Sequence, residues 1–277
     1  MSLHRSACTA MAAIVLMTAT SLMASAQTEL REFPEFRYTS GLPGGGWGVT
    51  RDGIPGFDGA LQLNVPVAYT PHRGAIVGFS TGSLDRSLPV DVSGHEVNGT
   101  GYIALGMGKS GQGLYVCEMP TSESWEPVQN LQQQFMAEGA QQPAVAFGMQ
   151  DIFENRDRYV GAPNALHDTD SPYVVATRQF GTERQPVYVT FGWGWGRFNS
   201  TFIGGVSWRA AEKLTIFGEY DGFNPNAGFA VDLSEWLVDD TILYFGLIDV
   251  LGTNDEGETK TPRPVIGLTY VYENLPL

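Results

Sequence analysis

The chain has 277 residues, with 30 acidic side chains against 16 lysines and arginines and a formal net charge of −14. That balance argues against nucleic acid as a partner and against electrostatic attachment to anionic lipid. No run of 18 apolar residues follows position 26, so no transmembrane helix is expected there, and a membrane form of this chain has to be a closed barrel.

Residues 1–26 read as a secretory signal peptide. Arg5 supplies the positive start, Ala10 to Met23 the apolar run, and Ala24-Ser25-Ala26 the small-residue cleavage site before Gln27. Cleavage would leave Cys117 as the one cysteine, so no intramolecular disulfide is expected. Residues 27–58 are irregular and rich in Gly and Pro. A strap, a plug entering a lumen, or a strand around Glu35–Ser40 would each fit them. Residues 59–277 are expected to form a β-barrel domain. Leu61, Leu63, Val65, Val67 and Tyr69 alternate with Gln62, Asn64 and Pro66, which predicts a strand, a turn at Pro71–Gly74 and a return over 75–83. Two strands are predicted around Lys109–Gly111. Residues 124–137 fit a short helix or a strand; the turn at Glu138-Gly139 and a strand over 144–152 favour the hairpin.

From Pro186 to Val250 the alternation is clearest. Val187, Val189, Phe191, Trp193 and Trp195 share one face, opposed by Tyr188, Thr190, Gly192, Gly194 and Gly196. The pattern continues through 202–209, 214–221 and 227–234, with one face apolar and the other carrying Gly, Ser, Thr and a few charges. Trp193, Trp195, Trp208 and Tyr220 fall near the ends of the apolar face, where an aromatic girdle sits. The expected fold is all-β, an antiparallel up-and-down transmembrane barrel of about 12 strands, in the range of roughly 10–14. A soluble sandwich with the apolar face inward is the competing reading.

No catalytic residue, metal ligand or cofactor is assigned. His4, His72, His95 and His167 are scattered, and no nucleophile-elbow, zincin or paired-cysteine motif occurs. Asp255, Glu256 and Glu258 lack the spacing of a calcium loop. Glu219 and Asp221 share a strand face about 7 Å apart, a separation compatible with a glycosidase pair. The blander reading is a lumen charge network, in which Glu219, Asp221, Asp232 and Asp249 meet Arg178, Arg197 and Arg209 across the interior. Trp193 and Trp195 could stack on sugar rings if they faced the lumen. There is a faint internal echo: Phe147-Gly148-Met149-Gln150-Asp151-Ile152 resembles Phe245-Gly246-Leu247-Ile248-Asp249-Val250, 98 residues apart, in the pattern F-G-[ML]-x-D-[IV].

The ordered blocks QPAVAFGMQDIF (142–153), SPYVVATRQFG (171–181), FGWGWGRF (191–198), GGVSWR (204–209), EYDGFNPNAGFAVDL (219–233) and YFGLIDVLG (244–252) resemble the C-terminal half of YjbH-like proteins. That resemblance implies an outer-membrane β-barrel linked to exopolysaccharide production, and it brings no catalytic residues. The function expected is therefore structural or passive transport, connected with exopolysaccharide export or cell-surface assembly. The expected partners are outer-membrane lipid and polysaccharide or export-machinery proteins. A periplasmic or secreted binding module, and a barrel enzyme acting on glycan or lipid, are the alternatives.

Overall fold

The computed structural model describes residues 41–83, 97–120, 127–153, 170–237, 240–251 and 262–273. The signal-peptide expectation, His4, His95 and His167, and Asp255, Glu256 and Glu258 all lie outside the described residues. Two short strands, β1 (Gly48–Val49) and β2 (Pro55–Gly56), precede a wall of twelve. The wall comprises β3 (Ala75–Ser83), β4 (Val97–Lys109), β5 (Gln112–Pro120), β6 (Pro127–Met136), β7 (Ala144–Gln150) and β8 (Ser171–Thr182). It continues with β9 (Gln185–Gly194), β10 (Thr201–Ala211), β11 (Leu214–Tyr220), β12 (Pro225–Asp232), β13 (Thr241–Ile248) and β14 (Arg263–Tyr272). Each wall strand is antiparallel to the next, and β14 pairs with β3 from Val265↔Gly82 to Tyr272↔Ala75. The ring is thus a closed twelve-stranded barrel with no free edge. Residues 127–136 are strand, and a two-sheet sandwich does not form.

The alternation separates two environments as the sequence predicts. Phe79, Ile103, Phe191, Trp208 and Phe229 point outward and are exposed, while Tyr102, Tyr115, Tyr173, Thr177 and Thr190 point inward and are buried. Near mid-strand, register aligns Ile216↔Phe229, Phe229↔Phe245 and Phe245↔Ile266 into an outer apolar belt. Inside, three tyrosine rings lie over glycines directly across the ladder. These are Tyr102 over Gly78, Tyr173 over Gly148 and Tyr244 over Gly267. A Cβ at Gly78 would stand 2.4 Å from the Tyr102 ring and hydroxyl. Gly78→Val should therefore displace the ring and lower the urea midpoint by the equivalent of about 1–3 kcal/mol, whereas Val77→Ala on the outer face should not.

The two mouths differ. At one, adjacent strands join through 110–111, 137–143, 183–184, 212–213 and 233–240, and β3 begins and β14 ends there. At the other, the intervals between strands are 84–96, 121–126, 151–170, 195–200, 221–224 and 249–262, three of them longer than any at the first mouth. We call these the short-turn and long-loop mouths.

Residues 41–73 do not join the wall. They fill the lumen, with Leu42, Trp47, Val49, Leu61, Leu63, Val65, Val67 and Tyr69 all fully buried. Gly41 lies against Cys117, Met119 and Asn130, toward the long-loop mouth. The chain then crosses to the short-turn mouth, where Arg51 and Asp52 are exposed. It returns to Glu219 at residues 63–65, and crosses back to β3 through Gly74. The strand expected over 61–69 is therefore corrected: no wall strand forms there. Gln62 and Asn64 are as buried as their apolar neighbours, because a segment inside a barrel has wall on every side. Of the alternatives open for 27–58, residues 41–58 belong to this plug.

The sequence echo has a structural counterpart. Asp151 and Asp249 both take a φ of +57°. The N–H of Asp151 donates to Asn130 Oδ1 (3.4 Å), and that of Asp249 to Asn226 Oδ1 (3.1 Å). Next along, Ile152 N–H donates to the Gln129 carbonyl (3.1 Å) and Val250 N–H to the Pro225 carbonyl (2.9 Å). Asn130 lies on β6 and Asn226 on β12, half a turn around the ring. The same corner is built twice, the arrangement a duplicated half-barrel produces.

Candidate functional site

The site is the contact between the lumen wall and the plug, and its centre is Glu219. Period-two alternation on β11 turns Thr215, Phe217 and Glu219 inward. The Glu219 carboxylate accepts three successive plug amides, from Leu63 (2.9 Å), Asn64 (2.8 Å) and Val65 (3.1 Å). It also accepts Asn226 Nδ2 at 3.1 Å. A buried carboxyl group needs its oxygens matched, and these four bonds supply the partners. Asp221, two residues on, accepts the N–H groups of Phe223 (3.0 Å) and Asn224 (2.8 Å), and Asn226 Nδ2 at 2.9 Å. Asn226 thus joins the two carboxylates. Glu219 holds the plug, and Asp221 shapes the β11–β12 turn.

Other wall side chains grip the plug backbone in the same manner. Ser207 Oγ accepts Leu61 N–H (3.1 Å), Thr177 Oγ1 accepts Ala68 N–H (2.8 Å) and Gln134 Oε1 accepts Thr70 N–H (3.1 Å). Tyr115 Oη and Asn130 Nδ2 both donate to the Gly41 carbonyl (2.9 and 3.2 Å), and Gln132 Nε2 donates to that of Val67 (2.9 Å). Near the short-turn mouth Arg209 forms an ion pair with Asp58, whose carbonyl accepts Tyr188 Oη at 3.0 Å.

The expected charge network is not assembled as one unit. Arg209 does face inward, but its ion-pair partner is the plug's Asp58 rather than a wall acid. Arg197 is buried in a 3-10 turn at Gly196–Phe198, donates to Gln150 Oε1 at 2.8 Å and lies over the Phe198 ring. Arg178 is on the outer face, over Phe180, and donates to the Ala140 carbonyl at 2.8 Å. Asp232 accepts the N–H and hydroxyl of Ser234, and Asp249 packs beside Asn226. The interior acids find backbone amides and asparagine. Reasoning restricted to side-chain partners missed this, since a backbone amide carries no signal in the sequence.

Trp193, Trp195, Trp208 and Tyr220 all lie on the outer face. Register places them at two levels. Trp193 pairs with Phe202 and Tyr220 with Gly204 toward the long-loop mouth, while Trp208 pairs with Val187 toward the other. With both tryptophans outward, stacking on a sugar inside the lumen is not open to them. Cys117 is buried on the inner face beside Gly41. Residues that sequence reasoning did not single out, Thr177, Ser207, Gln132 and Gln134, make much of the wall–plug contact; their inward position on polar-alternating strands was the available signal. At the short-turn mouth a cavity of about 530 Å³ is lined by Arg51, Asp52, Glu138, Arg178 and Gln179. Among the described residues no cluster of three metal-ligating side chains occurs.

No protein-family model matches the chain, and no curated protein does. Among solved structures, a NanC porin aligns with a TM-score of 0.42 at 10% identity, over 73% of this chain and 100% of that one. Outer membrane phospholipase A from Escherichia coli aligns with a TM-score of 0.39 at 9% identity, over 74% of this chain and 94% of that one.

Proposed function

We propose that this chain is an outer-membrane β-barrel protein with a structural or passive-transport role, connected with polysaccharide export or cell-surface assembly. The observation that carries the membrane part is the closed twelve-stranded wall with an apolar outer belt and an inner face on which Thr177, Thr190, Ser207, Gln132 and Glu219 stand among apolar residues. Such a wall pairs every ladder and leaves no edge, as hydrocarbon requires. Short turns at the mouth where β3 begins and β14 ends, and longer intervals at the other, follow the usual orientation of such barrels. On that orientation the short-turn mouth faces the periplasm. The polysaccharide part rests on the resemblance of the C-terminal half to YjbH-like proteins.

The lumen is occupied by residues 41–73, so in its resting state the barrel is a sealed wall rather than an open pore. Purified protein reconstituted in planar bilayers is expected to give a baseline without steady conductance steps. Steady steps in the unmodified protein would contradict the sealed reading. For the cellular role, deletion should lower surface or released polysaccharide, with restoration by the intact gene. Unchanged polysaccharide on deletion would remove that part of the proposal and leave the membrane part standing.

A further inference from the structure

Resting on the membrane-barrel reading above, we propose that residues 41–73 are a displaceable gate, latched to the wall at Glu219 and withdrawn toward the short-turn mouth when it opens. Four observations point the same way. First, the plug carries its own backbone ladder. Val49 and Ala60 exchange N–H bonds (3.1 and 2.8 Å), Gly46 N–H reaches the Gln62 carbonyl (2.9 Å), and Val67 N–H reaches that of Pro43 (2.9 Å). The three passes can therefore move as one body.

Second, the wall does not extend its ladder into the plug. Among the described residues, the backbone–backbone bond between them runs from Gly106 N–H to the Gly74 carbonyl, at the plug's tether to β3. The other polar contacts described between them are made by wall side chains, the Arg209–Asp58 ion pair and the Tyr115 and Asn130 bonds to Gly41 included, and water can take over each of them. Third, the docked state leaves polar atoms unmatched. The Gln62 amide, Asn64 Oδ1 and Trp47 Nε1 are buried and have no hydrogen-bond partner among the described residues. Buried unmatched groups disfavour the docked state, and hydration on release would satisfy them. Fourth, the plug shows a handle. Arg51 and Asp52 are exposed at the short-turn mouth and line the cavity there. Burial of Leu42, Trp47, Leu61 and Leu63 keeps the closed state dominant, so openings of the unmodified protein should be rare and brief. Behind the plug, Thr177, Thr190, Ser207 and Gln132 give the opened lumen a wettable wall.

The structure also supplies a lock. A Cβ at Gly41 would stand 3.2 Å from Cys117 Sγ, close enough for a disulfide. Gly41→Cys would therefore tie the far end of the plug to β5 through the chain's own thiol. The left-handed φ of +57° at Gly41 strains any replacement, so bridge formation is verified by mass before recording.

The test uses single-channel recording of the full chain in planar bilayers, on protein first shown to run as a heat-modifiable barrel. Glu219→Ala should raise open time roughly tenfold or more, because three plug amides and Asn226 lose their shared acceptor. Adding Gly41→Cys to that variant should silence it when oxidised, and a reductant should restore the openings. A folded Glu219→Ala barrel as silent as the unmodified protein would overturn the gate, as would openings that persist with the bridge formed. If Glu219→Ala yields no folded barrel, Glu219→Gln combined with Thr177→Val takes its place under the same criteria. Failure of the membrane reading is distinguishable, because it would appear earlier as the absence of a heat-modifiable, membrane-recovered form.

Discussion

Phe229→Arg should destabilise the barrel by about 2–4 kcal/mol in a bilayer, and by no more than about 1 kcal/mol if the outer face met water. Phe229 lies mid-strand on β12, 42% exposed, aligned with Ile216, Phe245 and Ile266 in the outer belt. Its ring packs on that of Phe245, with centroids 5.6 Å apart, a contact that arginine would forfeit in either surrounding. In lipid the guanidinium has to be carried to the hydrocarbon mid-plane, and no hydration is available there. Reversible unfolding in liposomes, measured by tryptophan fluorescence, gives the difference. Lys213, in a short turn and ion-paired with Glu235, is the control: Lys213→Ala should shift the curve by no more than about 0.5 kcal/mol. A Phe229→Arg variant as stable as the parent would argue that the apolar belt does not meet lipid.

Removing the Glu219 carboxylate carries the second large effect, and it acts from inside. Three plug amides and the Asn226 side chain converge on that one group. Glu219→Ala leaves all of them buried without an acceptor. At about 1–3 kcal/mol for each stranded group, the plug's docking should weaken by roughly 3 kcal/mol or more. Glu219→Gln keeps one acceptor oxygen and the shape, so its loss should be smaller. The direct readout is chymotrypsin digestion of the detergent-solubilised barrel. In the parent, Leu61, Leu63 and Tyr69 are fully buried and should resist cleavage. In Glu219→Ala, cuts at these residues should appear while the wall strands stay intact. Resistance equal to the parent's would mean that the plug is held by its apolar packing and not by the carboxylate.

How much of this was legible in the chain depends on periodicity. On β9 to β12 each residue's face follows from its parity, so the outward position of Trp193 and Trp208 and the inward position of Thr190, Ser207 and Glu219 could be read directly. Wall strands repeat every two residues because the barrel's exterior and its lumen lie on opposite sides. The plug has no such asymmetry. Residues 61–69 alternate as a strand does, yet both parities are buried, and alternation alone cannot tell a wall strand from a segment wrapped by one. The partners of Glu219 were invisible for the same reason. They are main-chain amides of residues about 155 positions away, and a backbone N–H has no sequence signature. Arg178 misled for a different reason. It sits at an outward-parity position on β8, and its carbonyl partner at Ala140 belongs to the neighbouring turn. Weighing its parity would have kept it out of the lumen.

The carboxylate pair was expected in a lumen charge network, with a glycosidase pair as the sharper alternative. Glu219 and Asp221 do share a face, as the i, i+2 spacing requires. Their oxygens, however, point at plug amides, turn amides and Asn226. The pair is committed to holding one loop and one plug in register, and that is the role the geometry assigns to it.

The central claim is that the chain forms a closed, lipid-embedded barrel. The measurement that tests it most directly is fractionation of the expressed protein, followed by gel migration with and without boiling. The account predicts recovery with the outer membrane and an unboiled form that migrates differently from the boiled one. Recovery as a soluble protein with a single migration would contradict it.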